Sequence, residues 1–493
     1  MRRRRREDIP PETAAPDDQS AEPALPDLSR RQFLTGLAAA AGALALAGCG
    51  DSGGGAAATP TATSSATATT TSTPSSSPTP SATPSPSPTA TPIDPELLPL
   101  PQPADSGIQH IVVVMMENRS FDHFLGWLPG ADGRQAGLSF TDKQGSLHQT
   151  YPLAPNFQNC QFGDPDHSYE GGRVQFNGGA NDGWLRASTN DLFPIGYYTQ
   201  ADLAFYGSAV PGWTTFDRYF AAILGPTFPN RLYMHAAQTD RLSNTFVMST
   251  LPTIWDRIAD KGLTGTYYYS DLPVLALWGG RFSPISQPIA QFFTDASAGN
   301  LSNLSYIDPR FIGEGQGTSN DDHPLADIRN GQAFVSQIYD AVTTSPNWPD
   351  TVLIFTYDEW GGFFDHVPPP LAPQTDLDPG LGNDGRLGFR VPCLIVSPLA
   401  RRGFIGRKQY DHTSILSLIE WRWSLDPLSV RDATANNIAH ALDFTRPKNL
   451  EVPSYSVPQG PFGTPCTAAA TEMREELLEL QLMAERYRFP IPR

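Results

Sequence analysis

The chain has 493 residues, 39% of them hydrophobic, 10% aromatic and 17% charged, with a formal net charge of −17. A chain of this length and aromatic content buries a large core, which excludes a wholly disordered protein, a collagen and a disulfide miniprotein. Its acidity offers no broad field to phosphate backbones, so nucleic acid is not an expected partner.

In chain order, residues 1–49 read as an export and anchoring signal. Arg2 to Arg6 form a basic run, and Ser29-Arg30-Arg31-Gln32-Phe33-Leu34 precedes an uncharged apolar run over 37–48. That run is shorter than the ~20 residues needed to span a bilayer and ends in small residues, the pattern of a signal peptide. The paired arginines resemble a twin-arginine export signal. Leu46-Ala47-Gly48-Cys49 resembles a bacterial lipobox, in which the cysteine is lipidated and becomes the mature N-terminus. Lipidation by two or more chains makes a stable anchor, so the expected location is extracytoplasmic, at the cell membrane. Residues 50–100 read as a disordered Ala/Ser/Thr/Pro-rich stalk, with no charged or aromatic residue between 52 and 93.

Residues 101–493 read as one large domain, because no second polar linker interrupts them. Strand-length apolar runs occupy 108–116, 264–269, 351–357 and 391–396, and helical patterns occupy 229–239, 252–261, 325–343 and 413–423. Their alternation predicts an α/β fold with a mostly parallel central sheet flanked by helices on both faces. Met473, Leu477, Leu480 and Ala484 recur at helical spacing within 468–487, which predicts a C-terminal helix packed on the domain.

Four polar clusters punctuate this pattern. They are Met116-Glu117-Asn118-Arg119-Ser120-Phe121-Asp122-His123, Leu224-Gly225-Pro226-Thr227-Phe228-Pro229-Asn230-Arg231, Asn320-Asp321-Asp322-His323-Pro324, and the run from Tyr357 to His366. Glu117-Asn118 and Asp358-Glu359 each follow a predicted strand, so both pairs can point into the crevice beyond the strand ends. Three carboxylates and an amide there repel one another unless a cation sits among them. One hard divalent metal ion with oxygen ligands is the simplest answer, and the sequence does not say which metal. Thr227 precedes a proline suited to a helix start; it can cap the helix, attack an anionic ester, or both. Asn230, one turn on, can reach the same phosphate. Among the histidines, His167, His323 and His366 are candidates for the site, and His412 fits a helix start equally well. His110, His123, His148, His235 and His440 read as structural.

The segments "HIVVVMMENRSFDHFLG", "GPTFPNR", "TYDEWGGFFDHVPPP" and "YDHTSILSLIEWRW" resemble the bacterial phosphoesterase family, within the alkaline phosphatase superfamily. That family includes phospholipases C and a group of acid phosphatases, and the resemblance runs from about Ile108 to Trp423. It implies Glu117, Asn118, Thr227, Asp358 and Glu359 as metal ligands, and Thr227 as a nucleophile passing through a phosphothreonine. It also implies Asn230, His167 and His323 as phosphate-binding or acid/base residues, with His366 less sharply placed. The substrate implied is a phosphate ester, a phospholipid or another phosphodiester.

An acid phosphatase acting on monoesters is the competing enzyme. Threonine at the nucleophile position is similar to the phospholipase branch, and no adjacent histidine pair marks the phosphatase branch. The sequence shows no counterpart of the C-terminal β-domains of larger phospholipases C. A stalked ligand-binding lipoprotein without turnover would be favoured by a replaced nucleophile or ligand, and none is replaced. A choline cage could draw on Tyr197, Tyr198, Trp184, Trp213 and Trp360, although such residues are more often core. With Cys49 lipidated, Cys160, Cys393 and Cys466 allow one disulfide or buried thiols.

Overall fold

The computed structural model describes residues 94–466 and 475–491. The signal over 1–49, Cys49, most of the stalk over 50–100, and Met473 lie outside the described residues. Among the described residues, no helix is long and apolar enough to cross a membrane.

The core is an eight-stranded sheet. Its strands in chain order are β1 (His110–Met116), β2 (Thr214–Phe216), β3 (Gly265–Tyr269), β4 (Ser286–Pro288), β5 (Leu304–Asp308), β6 (Thr351–Tyr357), β7 (Cys393–Val396) and β8 (Phe404–Gly406). They lie in the order β8-β2-β7-β6-β1-β5-β3-β4. β7 runs antiparallel to both of its neighbours, and every other pairing is parallel. The central strands are apolar because nothing in them meets water: all of β6, and β1 from Ile111 onward, is buried.

The helices that frame the sheet are α1 (Phe121–Leu125), α2 (Tyr169–Phe176), α3 (Thr227–Ala236), α4 (Ile254–Asp260), α5 (Ile289–Ala298), α6 (Ile328–Thr343), α7 (His412–Trp423) and α8 (Glu475–Arg486). They cover both faces, as the alternation along β3 shows. Tyr267 meets Trp255 of α4 and His235 of α3, whereas Tyr268, on the opposite face, meets Phe292 of α5 at 5.4 Å. The fold is therefore the expected α/β architecture. In α8, Leu477, Leu480 and Ala484 are buried, as their spacing predicts.

Two details follow from packing. Cys160 and Cys466 form a disulfide across 306 residues of sequence, and Cys393 is a buried thiol in β7. Trp184, Trp213 and Trp360 are fully buried, Tyr198 is buried in the main core, and Tyr197 packs beside Trp184 and Trp360 in a smaller apolar cluster. These aromatics are core, as such residues more often are.

Candidate active site

The site lies where β1, β5 and β6 end. β1 and β6 pair in parallel to their last residues, Met116 with Tyr357, so Glu117 and Asp358 leave the sheet side by side. Backbone bonds then lace the two loops together. The Asp358 amide donates to the Met116 carbonyl at 3.0 Å, and the Arg119 amide donates to the Glu359 carbonyl at 3.1 Å. The Asn118 amide donates to Asp358 Oδ1 at 3.2 Å. Asn118 sits at φ 63°, a left-handed conformation that asparagine tolerates better than most residues. Gly361 is required opposite it, because a Cβ there would lie 2.2 Å from the Asn118 carbonyl oxygen.

Arg231, the last residue of the second cluster, is the positive charge inside this ring of carboxylates. Its buried guanidinium meets Asp308 at 2.6 Å, Asp358 at 3.2 Å and Glu117 at 3.5 Å. Sequence reasoning passed over both Arg231 and Asp308. Asp308 ends β5 just as Asp358 follows β6, so an acid at the end of an apolar run was the available signal. Burial raises the Asp308 and Asp358 carboxyls to about 6 and about 7, against the pull of Arg231. Burial, and then the charge of Asp358, hold Glu359 well above the ordinary carboxylate range. Behind the loop, the ring of His412 donates from Nε2 to the Asp358 carbonyl at 2.7 Å and accepts from the Tyr219 hydroxyl at 3.1 Å. Burial lowers its pKa to about 4, so it is a neutral brace for the Asp358 loop.

Thr227 is the first residue of α3, not the cap before it; Pro226 holds the cap position. This corrects the capping role expected of Thr227 and leaves its hydroxyl uncommitted. The hydroxyl is buried and has no hydrogen-bond partner among the described residues. Asn244 caps the helix instead, accepting from the Phe228 amide at 2.9 Å. Asn230 is also reassigned. Its amide nitrogen donates to the carbonyls of Ile223, Gly225 and Pro226, and its oxygen accepts from the Ile223 amide. No N–H remains for a phosphate, so Asn230 shapes the loop that presents Thr227. Thr227, Glu117 and Asn244 line one small cavity.

Two of the three candidate histidines join the site. The His167 and His323 rings approach edge to face at 5.9 Å, a pair made in space and not in sequence. Asn118 donates to His167 Nδ1 at 3.5 Å. His323 is held between Glu314 at 3.2 Å and Asp164 at 3.7 Å, neither of them singled out in the sequence. His366 belongs to a different cluster. It bridges Asp122 at 2.5 Å and Asp132 at 3.0 Å, and Arg390 pairs with Asp122 and Asp365 beside it. Burial disfavours its charge, but Asp122 outweighs that and raises its pKa. His366 thus sits in an ion-pair network, and with Asp122 and Asp365 it forms a third group whose ligand atoms lie within 4.8 Å of one another.

The residues can hold a metal ion. Glu117, Glu314 and His323 bring ligand atoms within 4.8 Å of one another, as do Asp164, His167 and His323. Asn118 Oδ1, Thr227 Oγ1 and Glu359 Oε1 are buried oxygens without a hydrogen-bond partner among the described residues. Oxygens of this kind, beside carboxylates that are costly to ionise alone, fit a hard cation. Asp358 is more committed, since Oδ1 accepts two backbone amides and Oδ2 faces Arg231.

Acids, a buried hydroxyl and a histidine pair at the carboxyl ends of a parallel sheet make a hydrolytic site for an anionic ester. The sequence profile of the Phosphoesterase family matches residues 108–426, and the chain belongs to that family. It is a hydrolase of phosphoester bonds. Non-specific phospholipase C6 of Arabidopsis thaliana is 31% identical over 372 residues, 67% of this chain and 71% of that protein. Phospholipase C A of Mycobacterium tuberculosis (strain ATCC 25618 / H37Rv) is 29% identical over 429 residues, covering 71% of this chain and 80% of that one. Among solved structures, an alkaline phosphatase superfamily protein from Vibrio parahaemolyticus is similar at 9% identity with a TM-score of 0.34, covering 69% of this chain and 70% of that chain.

Proposed function

We propose that the chain is a metal-dependent, phospholipase C-like phosphodiesterase that works through a phosphothreonine at Thr227. It is exported by the twin-arginine route and anchored at the membrane by lipidated Cys49. The observation that carries the chemistry is the unpartnered Thr227 hydroxyl at the start of α3, in one cavity with Glu117. The phospholipase C relatives support a diester substrate.

One divalent ion would be held by the free oxygens of Asn118, Thr227 and Glu359, with Glu117 and Asp358 beside them. When bound, it supplies positive charge to the nucleophile and to the transferring phosphoryl group. Thr227 Oγ1 forms the new P–O bond as its proton passes to solvent, while the bond from phosphorus to the leaving alcohol breaks; a solvent proton returns to Oγ1 when water cleaves the phosphothreonine. The α3 N-terminus faces the developing charge. His323, oriented by Glu314 and Asp164, protonates the departing alcohol and then takes a proton from the water that cleaves the phosphothreonine. His167 is steadied by Asn118 on the phosphate side.

Side-by-side hydrolysis of p-nitrophenylphosphorylcholine and p-nitrophenyl phosphate tests this reading. Expected are diester turnover, loss of at least about 10³-fold in Thr227→Ala, and loss on chelation with recovery on adding back a divalent metal. Monoester turnover alone would replace the reading with a phosphatase. Undiminished turnover in Thr227→Ala would remove the covalent mechanism.

A further inference from the structure

The nucleophile is sealed off. Thr227 is 4% and Glu117 2% exposed, and the Thr227 hydroxyl, Asn118 Oδ1 and Glu359 Oε1 are all cut off from solvent. The cavity over Thr227 and Glu117 has room of about 10 Å³, the space of one water molecule, so no phosphate ester fits there. Turnover at Thr227 therefore requires part of the wall to move. Phe228, Val274 and Phe311 in that wall belong to residues 108–426, the part of the chain matched by the family. Leu477 and Leu480 do not; they come from α8, which follows it. Apolar contact seats this helix. Leu477, Leu480, Ala484 and Phe489 are buried, and α8 packs on the short turn Val274–Trp278. Two side-chain hydrogen bonds hold its far end: the Tyr269 hydroxyl donates to the Pro490 carbonyl at 2.8 Å, and the Tyr487 hydroxyl donates to Met248 Sδ at 3.7 Å.

We propose that α8 is an autoinhibitory lid. Seated, its Leu477 and Leu480 close the cavity over Thr227; the ester reaches the nucleophile only when the helix leaves the turn Val274–Trp278. The inference rests on the phosphoesterase reading for what the opened site turns over, and not for the closure itself. Each buried methylene that opening returns to water lowers the open population about fourfold, so trimming the two leucines should raise it by well over tenfold.

A clamp tests the lid. A Cβ at Gly280 would lie 3.8 Å from that of Tyr487, a separation usual across a disulfide. Full-length Gly280→Cys/Tyr487→Cys, with a divalent cation present, is expected to hydrolyse p-nitrophenylphosphorylcholine at least about tenfold more slowly when oxidised than after reduction. Wild-type protein taken through the same reduction is the control. Equal turnover in the two states, with the new bridge confirmed by mass, would overturn the lid. Should the bridge fail to form, maleimide labelling of Thr227→Cys decides, because it reads closure without turnover. Adding Leu477→Ala/Leu480→Ala is expected to speed labelling at residue 227 at least about tenfold, while the buried Cys393 of β7 stays unlabelled. Unchanged labelling would overturn the lid; labelling of both cysteines together would do the same, since α8 would then be a support of the core. Labelling gated by α8 without turnover of any ester would leave the lid standing and remove the catalytic reading. Turnover with ungated labelling would do the reverse.

Discussion

Replacing Arg231 with methionine keeps the volume of the side chain but removes the buried positive charge facing Asp308, Asp358 and Glu117. Removing one partner from a buried ion pair costs about 3–5 kcal/mol, because the remaining charge is left uncompensated. With ~2.1 cal/mol/K of unfolding entropy per residue, a folded unit of roughly 400 residues has ~0.8 kcal/mol/K, so Tm should fall by about 4–6 °C. The fall should depend on pH. Asp308 and Asp358 have folded pKa values of about 6 and about 7, above the unfolded carboxylate value, and loss of Arg231 pushes them further up. A raised carboxyl contributes stability that is fully present below the unfolded pKa and is lost as pH rises through the folded one. The Arg231→Met deficit is therefore largest near pH 8 and shrinks towards pH 5, where the carboxyls take up protons. Differential scanning calorimetry of chelator-treated protein at both pH values measures it. A Tm unchanged within about 1 °C at pH 8, or an equal deficit at both pH values, would refute the charge-balance argument.

Asn118 separates backbone from ligand. Asn118→Leu forces a branched residue into the left-handed region at a cost of about 1–2 kcal/mol, whereas Asn118→Gly accepts that backbone and keeps Tm close to wild-type. Both lose the side-chain oxygen, so both should lose turnover; an active Asn118→Gly enzyme would dismiss Asn118 as a ligand. The Cys160–Cys466 bridge ties the segment before α8 to the loop carrying Asp164 and His167. Cys160→Ser/Cys466→Ser should cost about 2–5 kcal/mol in a denaturant titration. A midpoint insensitive to both the substitution and reducing agent would count against the bridge.

Much of this protein can be read locally. Apolar runs rich in β-branched residues are strands because both of their faces are covered, so β1, β3, β6 and β7 were legible from composition alone. The shorter or more polar β2, β4, β5 and β8 were not. Their pairing comes from neighbours already in place, and β7's reversed direction is likewise invisible in a string of Cys-Leu-Ile-Val. In the site, Glu117, Asn118, Asp358 and Glu359 declared themselves by following strands, and Thr227 by opening a helix.

What required the tertiary structure was the choice among chemically equivalent residues. Asn230 and Asn118 are the same side chain, but one has every polar atom tied to a loop and the other keeps a free oxygen. His323 and His366 both sit among acids in the sequence. Only packing puts His323 beside Glu117 and gives His366 to Arg390's network. Arg231 counted as one arginine among many until burial made it the counter-charge of three strand-end acids. Local sequence determined which groups were available and which elements carried them. The folded contacts determined which groups are desolvated, which are already satisfied and which remain free to react, because those properties depend on partners both near and far along the chain, 4 positions away in one case and 127 in another.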